Sequence, residues 1–184
     1  MKINNEIRSK LNLQQWRSTQ DTIEWFNKLS ITEDSVFIQL DIEDFYPSIS
    51  RELFDKALDF ASKHFKISQE EKDIILNSRK SLLFNDQRPW IKKTGEFDVT
   101  MGAYDACELC ELVGLLLIYD MRETFPSLNF GLYRDDGAAE HKKLPGPQMA
   151  RLDKDIKALF KKHGLTATVE MEMTVMLTTA FGKY

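Results

Sequence analysis

Three aspartates carry the clearest chemistry in this chain. Asp41 follows the apolar run Val36-Phe37-Ile38-Gln39-Leu40, and Asp135 and Asp136 form a pair within Gly131-Leu132-Tyr133-Arg134-Asp135-Asp136-Gly137. Carboxylates are hard oxygen donors. Two or three of them suit Mg²⁺, which keeps part of its water shell and takes few protein ligands. The short Asp side chain holds its charge close to a strand end. A group of this kind can neutralise charge that develops when a hydroxyl attacks a phosphate and a leaving group departs. Each segment taken singly also has an ordinary reading, since Asp-Asp-Gly is a common turn and an Asp after a strand is a common cap. Their order and apolar flanks together favour the chemical reading.

Asp41 lies far from the Asp pair in sequence, so neighbouring strands must bring them together. Ser35–Ile42 reads as a buried strand because Val36, Phe37, Ile38, Leu40 and Ile42 are nearly continuous. Phe130–Tyr133 and Ala138–Glu140 read as two short strands flanking the Asp pair. A helix is expected over about 17–29, capped by Ser18 or Thr19. A second follows Ser50, with Leu53, Phe54, Ala57, Leu58 and Ala61 on one stripe. A third runs from the Ser68/Glu71 capping box to about Leu83. Trp90–Lys93 and Glu96–Thr100 read as a hairpin turned at Thr94-Gly95. A long buried helix is expected from Ala103 to about Glu123. A last one runs from Pro147 to His163, stopped by Gly164, and Thr166–Val169 is a final strand. This order predicts an α+β fold, an antiparallel sheet with helices on one face in a split βαβ arrangement.

With 184 residues, 42% hydrophobic, the chain can build a full core as one domain or one and a half small ones. The net charge of −4 fits poorly with a protein that wraps nucleic acid by charge alone, but leaves room for metal-mediated contact. Lys92-Lys93, Lys142-Lys143 and Lys161-Lys162 read as solvated surface. Cys107 and Cys110, a lone CxxC in an apolar segment, read as reduced core thiols of an intracellular protein. The N-terminus is polar, without the pattern of a signal peptide, and the apolar stretch near Leu112–Tyr119 is too short to span a bilayer. His64, His141 and His163 are scattered and read as surface residues. Glu108 and Glu111, at i, i+3 on the long helix, read as solvated or capping groups, and Asp44 as a neighbour that tunes the field of Asp41. There is no Gly-Lys-Ser/Thr phosphate loop, no His-Glu-x-x-His and no Gly-x-Ser-x-Gly elbow.

Together these segments resemble the reverse transcriptases, of a retroelement (retrotransposon) type. Phe37 to Ile49, with Asp41-Ile42-Glu43-Asp44-Phe45-Tyr46-Pro47-Ser48-Ile49 at its end, looks like their motif A. Val99-Thr100-Met101-Gly102-Ala103 before a helix looks like motif B, in a Met-Gly form that resembles the Penelope-like branch. Tyr133-Arg134-Asp135-Asp136 matches the Tyr-x-Asp-Asp of motif C, the most specific of these signals. Lys154–Leu165 looks like the motif D helix and its Gly. The match covers roughly residues 35–170. The Asp-x-x-x-x-Tyr-Pro-Ser-Ile pattern also resembles motif A of family-B DNA polymerases, whose second motif the Asp135-Asp136 pair does not reproduce.

The resemblance implies a polymerase palm, a ferredoxin-like sheet, over residues 35–184, with partial fingers and an N-terminal helical segment over 1–34. It implies RNA-directed DNA polymerase activity with two Mg²⁺ ions, Mn²⁺ being a possible substitute. Asp41, Asp135 and Asp136 would be catalytic metal ligands, with the Ile42 carbonyl completing the shell. Tyr46 falls where the family places an aromatic gate against the ribose 2′-hydroxyl. Phe45, Met101, Gly102 and, through a finger element at Gln15–Thr19, Arg17 would face the nucleotide. The implied partners are an RNA or DNA template with its primer, dNTPs, and another chain supplying a thumb, with no membrane. The expected hydrophobic-Gly hairpin is missing from Met171–Ala180, and no thumb follows. A silent palm remnant, or an interaction domain completed by a partner through its C-terminal edge, therefore stands as the alternative.

Overall fold

The computed structural model describes residues 2–173 apart from Thr94 and Met101; nothing is described for the side chains of Glu172 and Met173. In chain order the elements are α1 (Lys2–Leu11), α2 (Thr19–Lys28), β1 (Ser35–Ile42), α3 (Phe45–Ser48), α4 (Arg51–Ser62) and α5 (Gln69–Asn77). There follow β2 (Leu83–Asn85), β3 (Arg88–Trp90), α6 (Ala106–Thr124), β4 (Asn129–Tyr133), β5 (Asp136–Lys142), α7 (Gly146–Lys162) and β6 (Ala167–Met173). The main sheet has the order β4-β5-β1-β6 and every pair in it is antiparallel. The α+β class and the split βαβ order expected from the sequence are both present. The Met171–Ala180 reading lies mostly outside the described residues.

Local sequence accounts for most boundaries. Ser18 and Ser68 each accept a hydrogen bond from the backbone N–H three residues on, while Asp21 and Glu71 return the bond, so α2 and α5 start on complete capping boxes. Ser50 caps α4 by accepting from Leu53 N–H. The apolar helix α6 is buried on nearly every side and forms the centre of the core with α4 and the inner sheet face. That face carries Ile38, Leu40, Ile42, Phe130, Leu132 and Val169, all buried.

The outer face differs from expectation. β1 is buried on both faces only in its first half, where the Phe37 ring lies 5.5 Å from that of Phe26 on α2. From Ile38 on it alternates, leaving Gln39 and Asp41 exposed. So α2 and the strap before it cover one end of the outer face, and the other end stays open.

The region between α5 and α6 departs most from the sequence reading. α5 ends at Asn77 rather than near Leu83. Residues 79–81 instead pair in extended form with 96–98, Asp98 N–H donating to the Arg79 carbonyl and Ser81 N–H to that of Glu96. Those backbone bonds compete with helix and win. The expected pairing of Trp90–Lys93 with Glu96–Thr100 shrinks to one bridge, Lys92 with Gly95. The real hairpin joins β2 to β3 across Asp86-Gln87, both at positive φ (48° and 63°), the backbone of a two-residue primed turn. No glycine marks that turn, and Asp is among the few residues that tolerate the left-handed region.

Two histidines also depart from expectation. His163 is buried with Nε2 2.9 Å from Asp120 Oδ2, and His141 is buried with its ring nitrogens against Ser127 and the Lys142 carbonyl. Both serve packing between elements. Only His64 stays partly exposed, edge-on to Phe60.

Candidate functional site

The sheet register does what the spacing of the three aspartates requires. Asp41 on β1 stands directly across from Asp136 on β5, and Asp136 across from Tyr133 on β4. Cross-strand partners share a face, so these residues lie on the open outer face. Asp135 and Arg134 form the two-residue loop between β4 and β5. Arg134 takes φ 55°, a conformation rare for a side chain of its size. Its guanidinium lies 5.3 Å from the centre of the Tyr133 ring. The Asp135 carbonyl accepts from Ile42 N–H at 3.0 Å, which ties the loop to the end of β1. Glu43 N–H donates to the Thr166 carbonyl at 3.0 Å, so β1 is clamped from both sides just where Asp41 stands.

Electrostatics report the same convergence. Burial first, then the charges of Asp135 and Asp41, raise the Asp136 carboxyl above the ordinary carboxylate range. A cation placed among the three would relieve that repulsion. As the side chains stand, no three acidic, thiol or imidazole groups among the described residues are gathered closely enough to hold a metal ion. The donor types, the register and the charge coupling therefore fit a divalent ion, while the side-chain rotamers are not those of a closed shell.

Behind the loop a line of contacts reaches α6 and α3. Arg134 Nη2 lies 3.9 Å from Cys107 Sγ, and Cys107 Sγ lies 3.8 Å from Tyr46 Oη. Burial, then the Cys107 contact, push the Tyr46 phenol above its usual value, so it stays neutral. Tyr46 is 8% exposed and Phe45 only 2%. Phe45 packs in the core edge-on to Tyr46, which corrects its expected place against a nucleotide: no free surface remains there for a ligand. Ile42 is buried, and its N–H is committed to Asp135. Gly102 is exposed at φ 90° in a turn closed by Ala103 N–H on the Thr100 carbonyl, a conformation that favours glycine. Met101 lies outside the described residues. Asp44 is exposed at φ 46°, before α3. Glu111 forms an ion pair with Arg8, 3.1 Å away, and so serves the docking of α1.

The strap before α2 was only partly legible. Gln15 bridges in parallel to Leu132, and Trp16 N–H donates to the Leu132 carbonyl at 2.8 Å. The Trp16 indole covers Gly131 so closely that a Cβ there would overlap it. Gly131 is thus required by a close approach of the strap. Arg17 is exposed beside it, with Asn5 Oδ1 3.5 Å from its guanidinium. Its neighbours Trp16 and Ser18 line one wall of a cavity of about 440 Å³ whose other wall includes Tyr133 and Asp136. The strap therefore faces the acidic end of the sheet, but Arg17 is not brought into contact with the aspartates by any hydrogen bond or ion pair among the described residues.

No protein-family model and no curated protein matches this chain. Solved structures do. The apo telomerase of Candida tropicalis superposes with a TM-score of 0.70 at 10% identity, covering 94% of this chain and 35% of that one. The telomerase of Candida albicans, in complex with a fragment of telomeric RNA, gives 0.61 at 11% identity over 92% and 34%. The RNA-dependent RNA polymerase of a human picobirnavirus gives 0.61 at 14% identity over 91% and 33%. The fold is therefore a polymerase-like fold, and the chain spans about a third of the length of these neighbours. No helix among the described residues is long and apolar enough to cross a membrane.

Proposed function

We propose that this chain is the palm of an RNA-directed DNA polymerase, carrying out template-directed nucleotidyl transfer. The observation that carries the reading is the register of Asp41 against Asp136, with Asp135 on the adjoining loop, within a polymerase-like fold. Residues 35–184 form the palm in this reading, and residues 1–34 part of the fingers. Asp41, Asp135 and Asp136, with the Ile42 carbonyl, would hold two Mg²⁺ ions, or Mn²⁺. When bound, the ions supply activation of a primer 3′-hydroxyl and neutralisation of the triphosphate.

The protein's own part is positioning. The backbone bonds from Ile42 to Asp135 and from Glu43 to Thr166 fix the carboxylate-bearing ends before any ligand arrives. In this reading Tyr46, whose hydroxyl lies beside Cys107, would meet the ribose and favour dNTPs. In this reading Gly102 and Met101 would contact the nucleotide and Arg17 its phosphates. The partners are a primed RNA or DNA template and, where the remaining parts of such polymerases lie on another polypeptide, that chain. In this reading the protein would work inside the cell.

The test is primer extension on an RNA template with dNTPs, in Mg²⁺ and in Mn²⁺, beside Asp135→Asn. The expected result is extension that falls on the order of 100-fold or more in the variant. Equal extension by both would overturn the assignment of the carboxylates. A second reading, a catalytically silent palm that binds nucleic acid, is favoured by the dispersed acidic side chains. It predicts no extension by a folded protein in either metal.

A further inference from the structure

The hairpin region carries surface that the core does not explain. Residues 82–93 are all exposed. They include Leu83 at 70%, Phe84 at 71% and Trp90 at 57% exposure. Aromatic side chains bury large areas when they can, so a solvent-facing Trp and Phe on one short hairpin call for an occupant.

The charge around them identifies its sign. The chain as a whole is acidic, yet residues 79–93 hold Arg79, Lys80, Arg88, Lys92 and Lys93 against the single acid Asp86. Arg79 pairs with Asp105, and Lys92 pairs with Asp98. Lys80, Arg88 and Lys93 have no carboxylate partner among the described residues.

Register places the useful groups together. Leu83 faces Trp90 and Asn85 faces Arg88, so Trp90 and Arg88 share one face of the hairpin, while Phe84 and Pro89 share the other. Leu83 and Trp90 form one side of a cavity of about 470 Å³ whose far side is Tyr46 and Pro47. The groove also holds Glu96, beside Asp98 with its Lys92 and Thr100 partners. A flat aromatic with a cation two residues away, opening onto Tyr46, is the arrangement that stacks a base and steadies the adjoining phosphate.

We infer that the β2–β3 hairpin is a docking surface for a single-stranded polynucleotide, with a base stacked on Trp90 and the backbone against Arg88 and Lys93. The inference rests on the polymerase reading only in taking this strand for the unpaired template next to Tyr46. Binding to the hairpin itself needs neither metal nor catalysis.

The experiment uses a fluorescein-labelled 12-nucleotide RNA and the same sequence as a blunt duplex, in EDTA, with the Asp135→Asn protein as host. Trp16 and Trp25 are buried, so Trp90 is the tryptophan exposed to solvent among the three and its emission reports on the surface directly. The expected result is quenching by the single strand, and a Kd raised about tenfold or more in Trp90→Ala. Trp90→Phe, which keeps a stacking ring, should bind nearly as the host does. Arg88→Ala should reduce the slope of log K against log salt by about one. Circular dichroism and melting check each variant, and should Trp90→Ala be unfolded, the quench and the Arg88→Ala salt slope decide.

Unchanged binding in a folded Trp90→Ala, absence of quenching, or equal affinity for the duplex would each overturn the proposal. So would a Trp90→Ala effect on self-association with none on RNA, which would make the hairpin a protein contact. Primer extension by the wild-type chain with no Trp90 effect removes this inference alone. Single-strand binding by a chain that extends nothing removes the polymerase reading alone.

Discussion

The acidic end of the main sheet and the basic hairpin at residues 79–93 flank Tyr46 and are built in opposite ways. At the acidic end the strands that carry the aspartates are tied to their neighbours, through Ile42 N–H to Asp135 and Glu43 N–H to Thr166, and the adjoining Ile42, Leu132 and Gly137 are buried. From Leu83 to Trp90, by contrast, the two short strands pair with each other and their side chains meet water. Chemistry on a phosphate needs charges held before the substrate arrives, and packing supplies that rigidity. A surface that accepts successive bases of any sequence needs flat faces and cations rather than a fixed shell. Order is thus concentrated where charge is to be held, and exposure is tolerated where a flexible strand is to be met.

Matched truncations of a buried and an exposed leucine should separate the two regions. Leu132 is fully buried between the Asp loop and α6, so Leu132→Ala should cost about 2–5 kcal/mol of stability. Leu83, of the same type but exposed on the hairpin, should change stability by no more than about 0.5 kcal/mol when replaced by Ala. Urea melts of the two variants, compared with wild type, check both values. A Leu83→Ala loss as large as that of Leu132→Ala would show that the hairpin belongs to the cooperative core.

The same contrast explains what was legible in the sequence. The three aspartates could be read because a strand, a two-residue loop and a second strand impose a strict period on apolar neighbours. Helix starts at Ser18, Ser50 and Ser68 could be read because capping is a local interaction. The hairpin was misplaced because its turn uses Asp86-Gln87 instead of glycine, and because long-range pairing of 79–81 with 96–98 ended α5 early. The burial of Phe45, His141 and His163 depends on distant elements that no local window contains. Helix α1 was missed as a defined element although Ile3, Ile7 and Leu11 recur every four residues, a signal that was present. A finger element at Gln15–Thr19 could be read, but the closure of Trp16 over Gly131 joins residues far apart in sequence and has no local signal.

Asp136 has its carboxyl raised by burial and by two like charges, so the folded chain binds a proton there more readily than the unfolded chain does. Stability from this group is therefore greatest when it is protonated, and is lost as pH rises from the ordinary carboxylate pKa through the raised one. At neutral pH the charged form is a small burden, well under about 1 kcal/mol after solvent screening. Asp136→Asn should raise the melting temperature slightly at pH 7 and not near pH 3, by differential scanning fluorimetry. Wild-type protein with Mg²⁺ should move in the same direction. A lower melting temperature for Asp136→Asn at pH 7 would mean that the carboxylate is held by stabilising partners rather than crowded by like charges.

The smallest effect concerns the two thiols of α6, three residues apart and one helical turn from each other. Cys107 is exposed beside Arg134 and Tyr46, while Cys110 is buried and burial pushes its thiol up to about 12. The thiolate is the reacting form, so at pH 8 iodoacetamide should label Cys107 and leave Cys110 untouched in the native protein, with both labelled in denaturant. Peptide mass mapping reads the two sites separately. Prior addition of primed template and dNTP to Asp135→Asn should slow labelling of Cys107, because the contact from Cys107 to Tyr46 lies along the wall of the proposed nucleotide site. Equal labelling of both cysteines in the native state would show that α6 opens on the time scale of the reaction. The rigid end of the molecule would then be no more ordered than the hairpin opposite it.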